Sequence, residues 1–391
     1  MSKQEKKGLV PELRFPEFYS ERNWEYEKLG IIFTERQDKG FEHLPLLSLT
    51  DKEGIIPQEE TNRKNNSNSD KSKYLRVCPG DVAYNTMRMW EGRSAYVNIE
   101  GLVSPAYTVC KSSSNTNGLF FSYYFKTEQL IREFHRYSQG LVKDTLNLKY
   151  EAFSRIEAPF PLPEEQQKIA DCLTSVDELI TAQKQRLDAL KTHKNGLIQQ
   201  LFPAEGESIP NLRFPEFWDA GEWVIKPLDS LLTISNGKDY KHLSNGEVPV
   251  YGSGGYMLSV DKYLYDGESV CIGRKGTINN PMFLSGKFWT VDTLFYTHSF
   301  KDCLPKFAYL IFQNINWLSH NEAGGVPSLS KTNINKIEVA VPSPVEQKKI
   351  TECIFSIDDL IANQTKKVEF LKAHKKGLMQ QLFPVMDEVN A

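Results

Sequence analysis

One long segment occurs twice in this chain of 391 residues. The first copy is PLPEEQQKIADCLTSVDELITAQKQRLDALKTHKNGLIQQLFP at 161–203, and the second is PSPVEQKKITECIFSIDDLIANQTKKVEFLKAHKKGLMQQLFP at 342–384. The copies align without a gap, so that Ile169 corresponds to Ile350 and Phe202 to Phe383. A shorter repeat, LRFPEF, lies at 13–18 and again at 212–217. This duplication predicts pseudo-two-fold symmetry, which suits a partner that is itself two-fold, with duplex DNA as the leading case.

Each long repeat has the spacing of a coiled-coil helix. Residues of the seam alternate at steps of four and three and make up about four and a half heptads per copy. They are Ile169, Leu173, Val176, Ile180, Gln183, Leu187, Leu190, Lys194, Leu197 and Leu201 in the first copy, and Ile350, Ile354, Ile357, Ile361, Gln364, Val368, Leu371, Lys375, Leu378 and Leu382 in the second. Pro163 suits a helix start, and Pro203 and Pro384 suit the helix ends.

The nearest partner for one seam is the other copy, because both belong to the same chain. In an antiparallel pair the central residues Gln183 and Gln364 would meet, and an amide pair there could fix the register. A solvated position at the edge of the seam is the alternative for both. The same pairing would place Lys194 near Cys353. The matched glycines at 196 and 377 indicate either close approach by a partner's backbone or a frayed last turn.

The segments 19–160 and 218–340 differ from the long repeats in their sequence pattern, because they have short apolar runs between turn residues. VPVYGSGGYML, ESVCIGRKGT and FWTVDTLFYTH predict short strands with tight turns, whereas residues 119–138 and 305–319 predict helices. The predicted fold class is therefore α+β, with two such domains joined by two long antiparallel coiled-coil helices in a pseudo-two-fold arrangement. The predicted boundaries are 1–160, 161–203, 204–341 and 342–391.

Composition limits the partners and the compartment. The net charge of −3 provides no global basic signal, so any nucleic-acid surface must be local. The six cysteines form no C-x-x-C pair, which argues against a disulfide framework or a zinc site. The opening MSKQEKKGLVPELRF lacks an apolar core, and no apolar run reaches the ~18–20 residues of a membrane span. We therefore expect a cytoplasmic protein without a membrane partner.

Motifs of catalysis are missing from the sequence. GSGG at 252–255 is followed by no G-K-[ST], so a hairpin turn is the better interpretation than a phosphate loop. The chain has no Pro-Pro, which removes the usual signature of an amino-methyltransferase. The acidic pairs at 164–165 and 358–359 are interpreted as solvated helix faces and not as general acids or bases. We expect no catalytic residue, metal ligand or cofactor in this chain.

The remaining candidate features are local clusters of residues whose side chains can hydrogen-bond to bases or bind phosphates. Arginine pairs with guanine and asparagine with adenine through bidentate hydrogen bonds in the major groove. The candidates lie in the polar loop near 59–73, in the turns YNTMRMWEGR and IGRKGTINN, and just before each long repeat. They are Arg63, Lys64, Lys71, Lys73, Asn85, Arg88, Trp90, Arg93, Lys143, Asn147, Arg274, Lys275, Thr277, Asn279, Lys331 and Asn333. Ordinary surface hairpins and solvated loops are the alternative for all of them.

The layout resembles the specificity subunit of type I restriction-modification systems. The matching features are the LRFPEF box, a variable segment, P-x-x-EQ-x-K-I at the start of a long helix and KxGLxQQLFP at its end, all present twice. The resemblance implies a non-catalytic subunit whose two target recognition domains each read half of a split sequence in double-stranded DNA. It also implies that the paired helices act as a ruler and dock two modification subunits, which would bind S-adenosylmethionine and methylate adenine. Two restriction subunits would join for cleavage.

Two other classes of function stay open at the level of sequence. One is a structural adaptor whose coiled coil joins proteins and whose α+β domains bind protein partners. The other is an enzyme with an unrecognised active site, which the missing nucleophile and metal constellations disfavour. The candidate base-reading turns favour DNA recognition over the adaptor.

Overall fold

The computed structural model describes residues 9–50, 54–61, 70–204 and 206–386. The chain divides into a first unit, Met1–Gln183 with Lys367–Ala391, and a second unit, Lys184–Lys366. The division cuts each long repeat once. Each unit therefore contains one α+β segment, the first part of one long repeat and the last part of the other.

The first unit combines short strands with four short helices that precede the first long helix. The strands are β1 (Glu25–Lys28), β2 (Phe33–Glu35), β3 (Leu47–Thr50), β4 (Gly54–Pro57), β5 (Leu75–Val77), β6 (Val82–Asn85), β7 (Ser94–Tyr96), β8 (Gly101–Val103), β9 (Tyr107–Ser112) and β10 (Glu157–Phe160). The helices are α1 (Leu29–Ile32), α2 (Gly118–Tyr124), α3 (Glu128–Tyr137), α4 (Tyr150–Phe153) and the long α5 (Pro163–Leu201).

Sheets in the first unit are small and antiparallel. The largest has the order β2-β9-β6-β7, and β1 pairs with β10, β3 with β4 and β5 with β8. An aromatic core that includes Trp24, Phe33, Phe120 and Phe153 packs against the first turns of α5. A smaller aliphatic core lies among β3 to β9.

The second unit repeats this plan with longer strands. Its strands are β11 (Val224–Pro227), β12 (Thr233–Asn236), β13 (Asn245–Gly252), β14 (Gly255–Val260), β15 (Tyr265–Asp266), β16 (Ser269–Gly273), β17 (Met282–Leu284), β18 (Lys287–Thr290), β19 (Leu294–His298) and β20 (Glu338–Val341). Its helices are α6 (Leu228–Leu231), α7 (Pro305–Asn314), α8 (Lys331–Asn335) and the long α9 (Pro344–Leu382).

The sheet order shows the correspondence between the units. The sheet β12-β19-β16-β17 matches β2-β9-β6-β7 in strand order and in antiparallel pairing, and β11 pairs with β20 as β1 pairs with β10. The remaining sheet, β14-β13-β18-β15, contains the parallel pair β13-β18 and has no such counterpart among the described residues. The framework is thus shared, while the sheets beyond it differ.

The seam predicted for the long repeats is confirmed by burial. All twenty seam positions of α5 and α9 are buried or partly buried, although charged and polar neighbours on both helices are exposed. In the first unit Lys375 Nζ donates to Asp177 at 2.7 and 2.6 Å. In the second unit Lys194 Nζ donates to Asp358 at 2.7 and 2.9 Å. Within each unit the α5 and α9 segments therefore pack together, and they run antiparallel.

A buried clasp joins each LRFPEF box to the start of a long helix. Arg14 donates from Nε and Nη2 to the two oxygens of Glu165, at 2.9 and 2.7 Å, and the Trp24 indole donates to the same carboxylate. Arg213, Glu346 and Trp223 repeat this arrangement in the second unit. Both carboxylates are buried, so the predicted solvated acidic pair at 164–165 is wrong for Glu165.

The other motif residues of the repeats also belong to the framework. The next side chain along, Gln166, accepts from the Asn117 backbone N–H at 2.9 Å, as Gln347 accepts from that of Leu304 at 2.8 Å. At the end of each repeat the LFP phenylalanine enters the aromatic core. Phe383 stacks on Tyr124 and Phe202 on Phe307, with ring centroids 4.9 and 5.3 Å apart.

Candidate nucleic-acid interface

The turn YNTMRMWEGR connects β6 to β7, as the sequence predicted. Asn85 ends β6, and its Oδ1 accepts from the Met87 backbone N–H at 3.0 Å, which closes a tight turn. The Trp90 indole donates to the Met87 carbonyl oxygen at 3.0 Å. These local bonds fix the turn, and they leave the side chain of Met87 exposed.

Two predicted arginines of this turn share one acidic partner. Arg88 Nη1 lies 3.5 Å and Arg93 Nε 3.3 Å from the carboxylate of Glu91. Both guanidinium groups are about two-fifths exposed, so the ion pairs are accessible to solvent. Binding of either arginine to a phosphate or a base would require it to exchange this weak partner.

The segment before the first long repeat is attached to the same turn. The Leu148 backbone N–H donates to the carbonyl oxygen of Thr86 at 2.8 Å, and Asn147 pairs with Gln139 through two backbone bonds. Next to this junction is an open cleft of about 590 Å³, which we call the first cleft. Its lining includes Lys73, Thr86, Met87, Tyr107, Asn147 and Lys149.

The first cleft brings together only part of the predicted set. Lys73 and Asn147 line it, whereas Arg88, Trp90, Arg93 and the exposed Lys143 lie outside its lining. Lys71 lies near it in sequence and faces the ring of Tyr74, with 4.8 Å from Nζ to the centroid. The predicted contacts Arg63 and Lys64 lie outside the described residues.

The turn IGRKGTINN connects β16 to β17 in the second unit. Gly273 is required at its start, because an added Cβ would lie 1.9 Å from the Thr277 carbonyl oxygen. Ile278 is buried and anchors the turn, and Lys275, Thr277 and Asn279 are exposed around it. The backbone therefore holds these polar side chains outward.

A second junction matches the first. The Leu329 backbone N–H donates to the Arg274 carbonyl oxygen at 2.9 Å, and the Gly276 N–H donates to that of Pro327 at 2.9 Å. Leu329 occupies in the second half the position that Leu148 occupies in the first, relative to the long repeats. The same two segments are thus joined by backbone hydrogen bonds in both units.

The second cleft, of about 690 Å³, lies beside this junction. Its lining includes Lys241, the GSGG turn between β13 and β14, Tyr256, Met257 and Thr293. Arg274 flanks it, since its backbone N–H donates to Thr293 and its guanidinium to the carbonyl oxygen of Asp292. The prediction that GSGG forms a hairpin turn is confirmed, with Gly252 paired to Gly255.

The last predicted pair, Lys331 and Asn333, lies in the first turn of α8. Lys331 is exposed in the first turn. The Asn333 amide donates to Glu322 Oε1 at 2.8 Å. Hydrogen bonds from Ser330 and Asn333 hold the pKa of Glu322 below its ordinary value, so this carboxylate is charged at neutral pH. Asn333 is therefore engaged within the chain and is a weaker candidate than the sequence alone indicated.

Sequence reasoning missed several residues of both clefts. Thr86, Met87, Tyr107 and Lys149 line the first cleft, and Lys241, Tyr256 and Met257 line the second. Thr86, Met87, Tyr256 and Met257 lie in or next to turns that the sequence predicted, whereas long-range packing brings Tyr107, Lys149 and Lys241 to the clefts. In the sequence, the nearest hint would have been the pair Tyr256 and Met257 directly after the GSGG turn.

Other kinds of site find no support in the part of the chain that the structure describes. There, no three acidic, histidine or cysteine side chains come together as a metal ion would need. Within the same residues, none of the helices combines the length and the apolar character that a bilayer crossing needs.

Known proteins share this architecture. The family model described as "Type I restriction modification DNA specificity domain" matches residues 21–192 and again 220–373. The MjaVIII specificity subunit of Methanocaldococcus jannaschii is 29% identical over 126 residues, which cover 31% of this chain and 27% of that protein. The putative MjaX specificity subunit of the same organism is 23% identical over 259 residues, 58% of each chain.

A solved structure supports the same fold. The type I restriction-modification S subunit from M. genitalium superposes with a TM-score of 0.64 at 16% identity, covering 97% of this chain and all of that one. At this identity the likeness concerns the fold alone.

Proposed function

This chain belongs to the family of type I restriction-modification DNA specificity domains, and from that premise we propose that it reads a bipartite DNA sequence and directs partner subunits to it. The matches to curated relatives span 27% and 58% of those proteins, so the activity of the whole complex is part of the proposal.

The supporting observation is that the same backbone junction occurs in both units, while the clefts beside the two junctions are lined by different side chains. In each unit a strand–turn–strand segment is bonded to the segment that precedes a long helix, through Leu148 in one unit and Leu329 in the other. The cleft beside the first junction is lined by Lys73, Tyr107 and Asn147, and the second by Lys241, Tyr256 and Thr293. The same framework therefore presents different donors and acceptors, as expected if each half recognises a different sequence.

Part of each lining suits a DNA duplex, although the carboxylates of Glu35 and Glu151 also line the first cleft and those of Asp239 and Asp292 the second. Lysine neutralises phosphate, asparagine and threonine hydrogen-bond base edges, and an apolar side chain such as Met87 or Met257 can contact a thymine methyl group. The flanking Arg274 adds a donor fork for guanine. A net charge of −3 confines DNA binding to such local surfaces.

In this proposal the chain contributes recognition, and its partners supply the chemistry. Its curated relatives are specificity subunits. Two modification subunits would bind S-adenosylmethionine and methylate adenine, and two restriction subunits would cleave. The long helices α5 and α9 would set the distance between the two half-sites. Cleavage and methylation would both depend on this chain for their target.

Methylome sequencing tests the proposal. Cells that express the chain with its modification subunit are expected to carry methyladenine in one motif of two fixed sequences separated by unspecified bases. Cells with the modification subunit alone serve as the control and should lack this motif. Methylation that does not depend on the chain, or a motif without a gap, would contradict the proposal. In a gel shift, a structural adaptor would leave DNA unbound with or without the modification subunit.

A further inference from the structure

One position is anchored in the same way in both units and carries different side chains. In the first unit the Thr86 N–H donates to the carbonyl oxygen of Ala106, the residue before β9, at 3.1 Å. In the second unit the Arg274 N–H donates to that of Thr293, the residue before β19, at 2.8 Å. On its carbonyl side, each residue accepts the backbone bond that defines its junction. Because β9 and β19 occupy the same place in the two sheets, Thr86 and Arg274 are structural equivalents.

The backbone bonds of this position are used within the fold, so its side chains carry the difference between the units. The residues that follow are equivalent as well, Met87 in the first unit and Lys275 in the second. The Thr86 hydroxyl donates to the Ala106 carbonyl oxygen at 2.8 Å, so it has no hydrogen left for a base. The first unit therefore presents a methyl group and a thioether where the second presents a guanidinium and an ammonium.

These side chains are accessible to a ligand. Met87 is 38% exposed and lines the first cleft together with Thr86. Arg274 and Lys275 are exposed beside the second cleft. Within the described residues Arg274 forms no ion pair, and its guanidinium donates one long hydrogen bond, 3.4 Å to the carbonyl oxygen of Asp292. A ligand can therefore bind this guanidinium without first displacing a carboxylate.

Resting on the proposed function, we propose that this equivalent position determines one base in each half-site. A methionine cannot bind a phosphate, so the first unit indicates that the position faces base edges, and the shared anchoring extends this orientation to the second unit. In the major groove an apolar side chain contacts the 5-methyl group of thymine, and arginine binds O6 and N7 of guanine. The half-site of the first unit thus contains a thymine, read by Met87, and that of the second a guanine, read by Arg274.

Base analogues test the assignment at the level of single atoms. Once the methylated motif is known, competition gel shifts use the chain with its modification subunit. The competing duplexes carry uracil in place of one thymine, which removes only the 5-methyl group, or 7-deazaguanine in place of one guanine, which removes the N7 acceptor. Uracil should weaken binding about fourfold at one position of one half-site, the worth of one buried methyl group. The guanine analogue should weaken it about fivefold or more at one position of the other half-site.

Loss of these responses identifies the side chains. With Met87→Ala, uracil and thymine should bind equally at the first position, and with Arg274→Ala, 7-deazaguanine and guanine should bind equally at the second. A folding defect would weaken all duplexes by the same factor and leave these ratios unchanged. Ile31→Ala and Arg186→Ala are matched controls, because both residues are exposed and lie outside the two turns. Both controls should keep the wild-type ratios.

A transfer of side chains gives a second, independent test. Thr86→Arg combined with Met87→Lys places the side chains of the second unit on the framework of the first. Methylome sequencing should then show guanine in place of thymine at that one position, with the rest of the motif unchanged. Thr86→Val is the control for the lost hydroxyl bond to Ala106, and it should keep the thymine. Full methylation of the original motif by the double variant would overturn the inference.

Other outcomes of the binding experiment are equally decisive. Binding that responds to neither analogue at any position would show that neither side chain reads a base. Uniform weakening by Arg274→Ala would assign its guanidinium to a phosphate, since phosphate contacts carry no sequence information. A uracil response that persists in Met87→Ala would place the contact with the methyl group elsewhere. A complex that binds no bipartite motif would instead overturn the proposed function itself.

Discussion

Single residues explain why a Glu-Gln pair opens both long helices. Glu165 accepts two bonds from Arg14 and one from Trp24 in the core, and Glu346 does the same in the second unit. A buried ion pair adds little net stability compared with apolar packing, but removal of one partner leaves an uncompensated charge. The pair therefore fixes where each box meets its helix.

The first prediction concerns this clasp. Arg14→Ala should lower the free energy of unfolding by about 3–5 kcal/mol, because the buried carboxyl group of Glu165 would lose its ion-pair partner in a site closed to water. Denaturant titration followed by circular dichroism measures the change. The control is Lys168→Ala, which removes an exposed partner of Glu17 and should change stability little. Equal effects of the two substitutions would show that the clasp does not depend on burial.

The second prediction concerns base reading by the turn IGRKGTINN, whose residues lie beside the second cleft and outside its lining. Arg274→Ala should weaken recognition of one half-site by about 1–3 kcal/mol, the cost of a lost bidentate contact, and leave the other half-site unchanged. Lys275→Ala should likewise act on one half-site only. Competition gel shifts with DNA mutated in either half measure this. The control, Lys226→Ala, removes an ion pair with Asp302 and lies in β11, away from the turn IGRKGTINN. Equal loss at both half-sites would indicate a folding defect instead.

At the scale of elements, the long helices were the most predictable part of the fold. The 4–3 spacing predicted twenty seam positions, and all are at least partly buried. The local turns around β6, β13 and β16 also followed from glycine and polar residues. Two helix predictions were too coarse, since residues 119–138 form two helices, and the helix predicted over 305–319 ends at Asn314 and is followed by a separate 3-10 helix, Trp317–His320. Thr127 has extended dihedral angles (φ −74°, ψ 145°) and starts a new helix at Glu128.

The cross-helix contacts show where local patterns stop being informative. Lys194 was expected near Cys353, but its ammonium binds Asp358, about one and a half turns further along α9, because a carboxylate offers a charge and a thiol does not. Gln364 is buried and Gln183 partly buried, and their role in the register stays a prediction. Part of each cleft lining was unpredictable for the same reason, since long-range packing decides it.

The third prediction uses the matched glycines of the helices. A Cβ added at Gly196 or Gly377 would meet no atom of the described chain within 4 Å, so the predicted close approach finds no counterpart within these residues. Gly196→Ala should therefore stabilise the isolated chain by about 1 kcal/mol, through better helix propensity. Thermal unfolding measures this. Weaker binding of a partner subunit by the same variant would show that an outside backbone approaches there.

At the scale of the whole molecule, duplication separates framework from recognition. The repeats supply each unit with the same clasp, the same LFP phenylalanine and the same helix pairing. The segments between them share one sheet order and differ in the second sheet and in the cleft linings. A new specificity can therefore arise by a change of one variable segment, while the contacts that join it to the helices stay as they are.

The last prediction tests whether the helices set the spacing of the target. One heptad inserted after Gln183 and another after Gln364 would keep the seam in phase, since both sites lie within the long helices at or near the boundary of the units. Each helix would lengthen by about 10.5 Å, which corresponds to roughly three base pairs of DNA.

The variable segments are untouched, so the bases read in each half-site should not change. The unread gap in the methylated motif should widen by up to about three base pairs, and activity should fall because the rotation around the duplex also changes. Methylome sequencing before and after insertion gives the gap directly. The control is an insertion of five residues, which turns the apolar face by roughly 140° out of the seam and should abolish methylation. Retained activity with an unchanged gap would show that something other than α5 and α9 sets the distance.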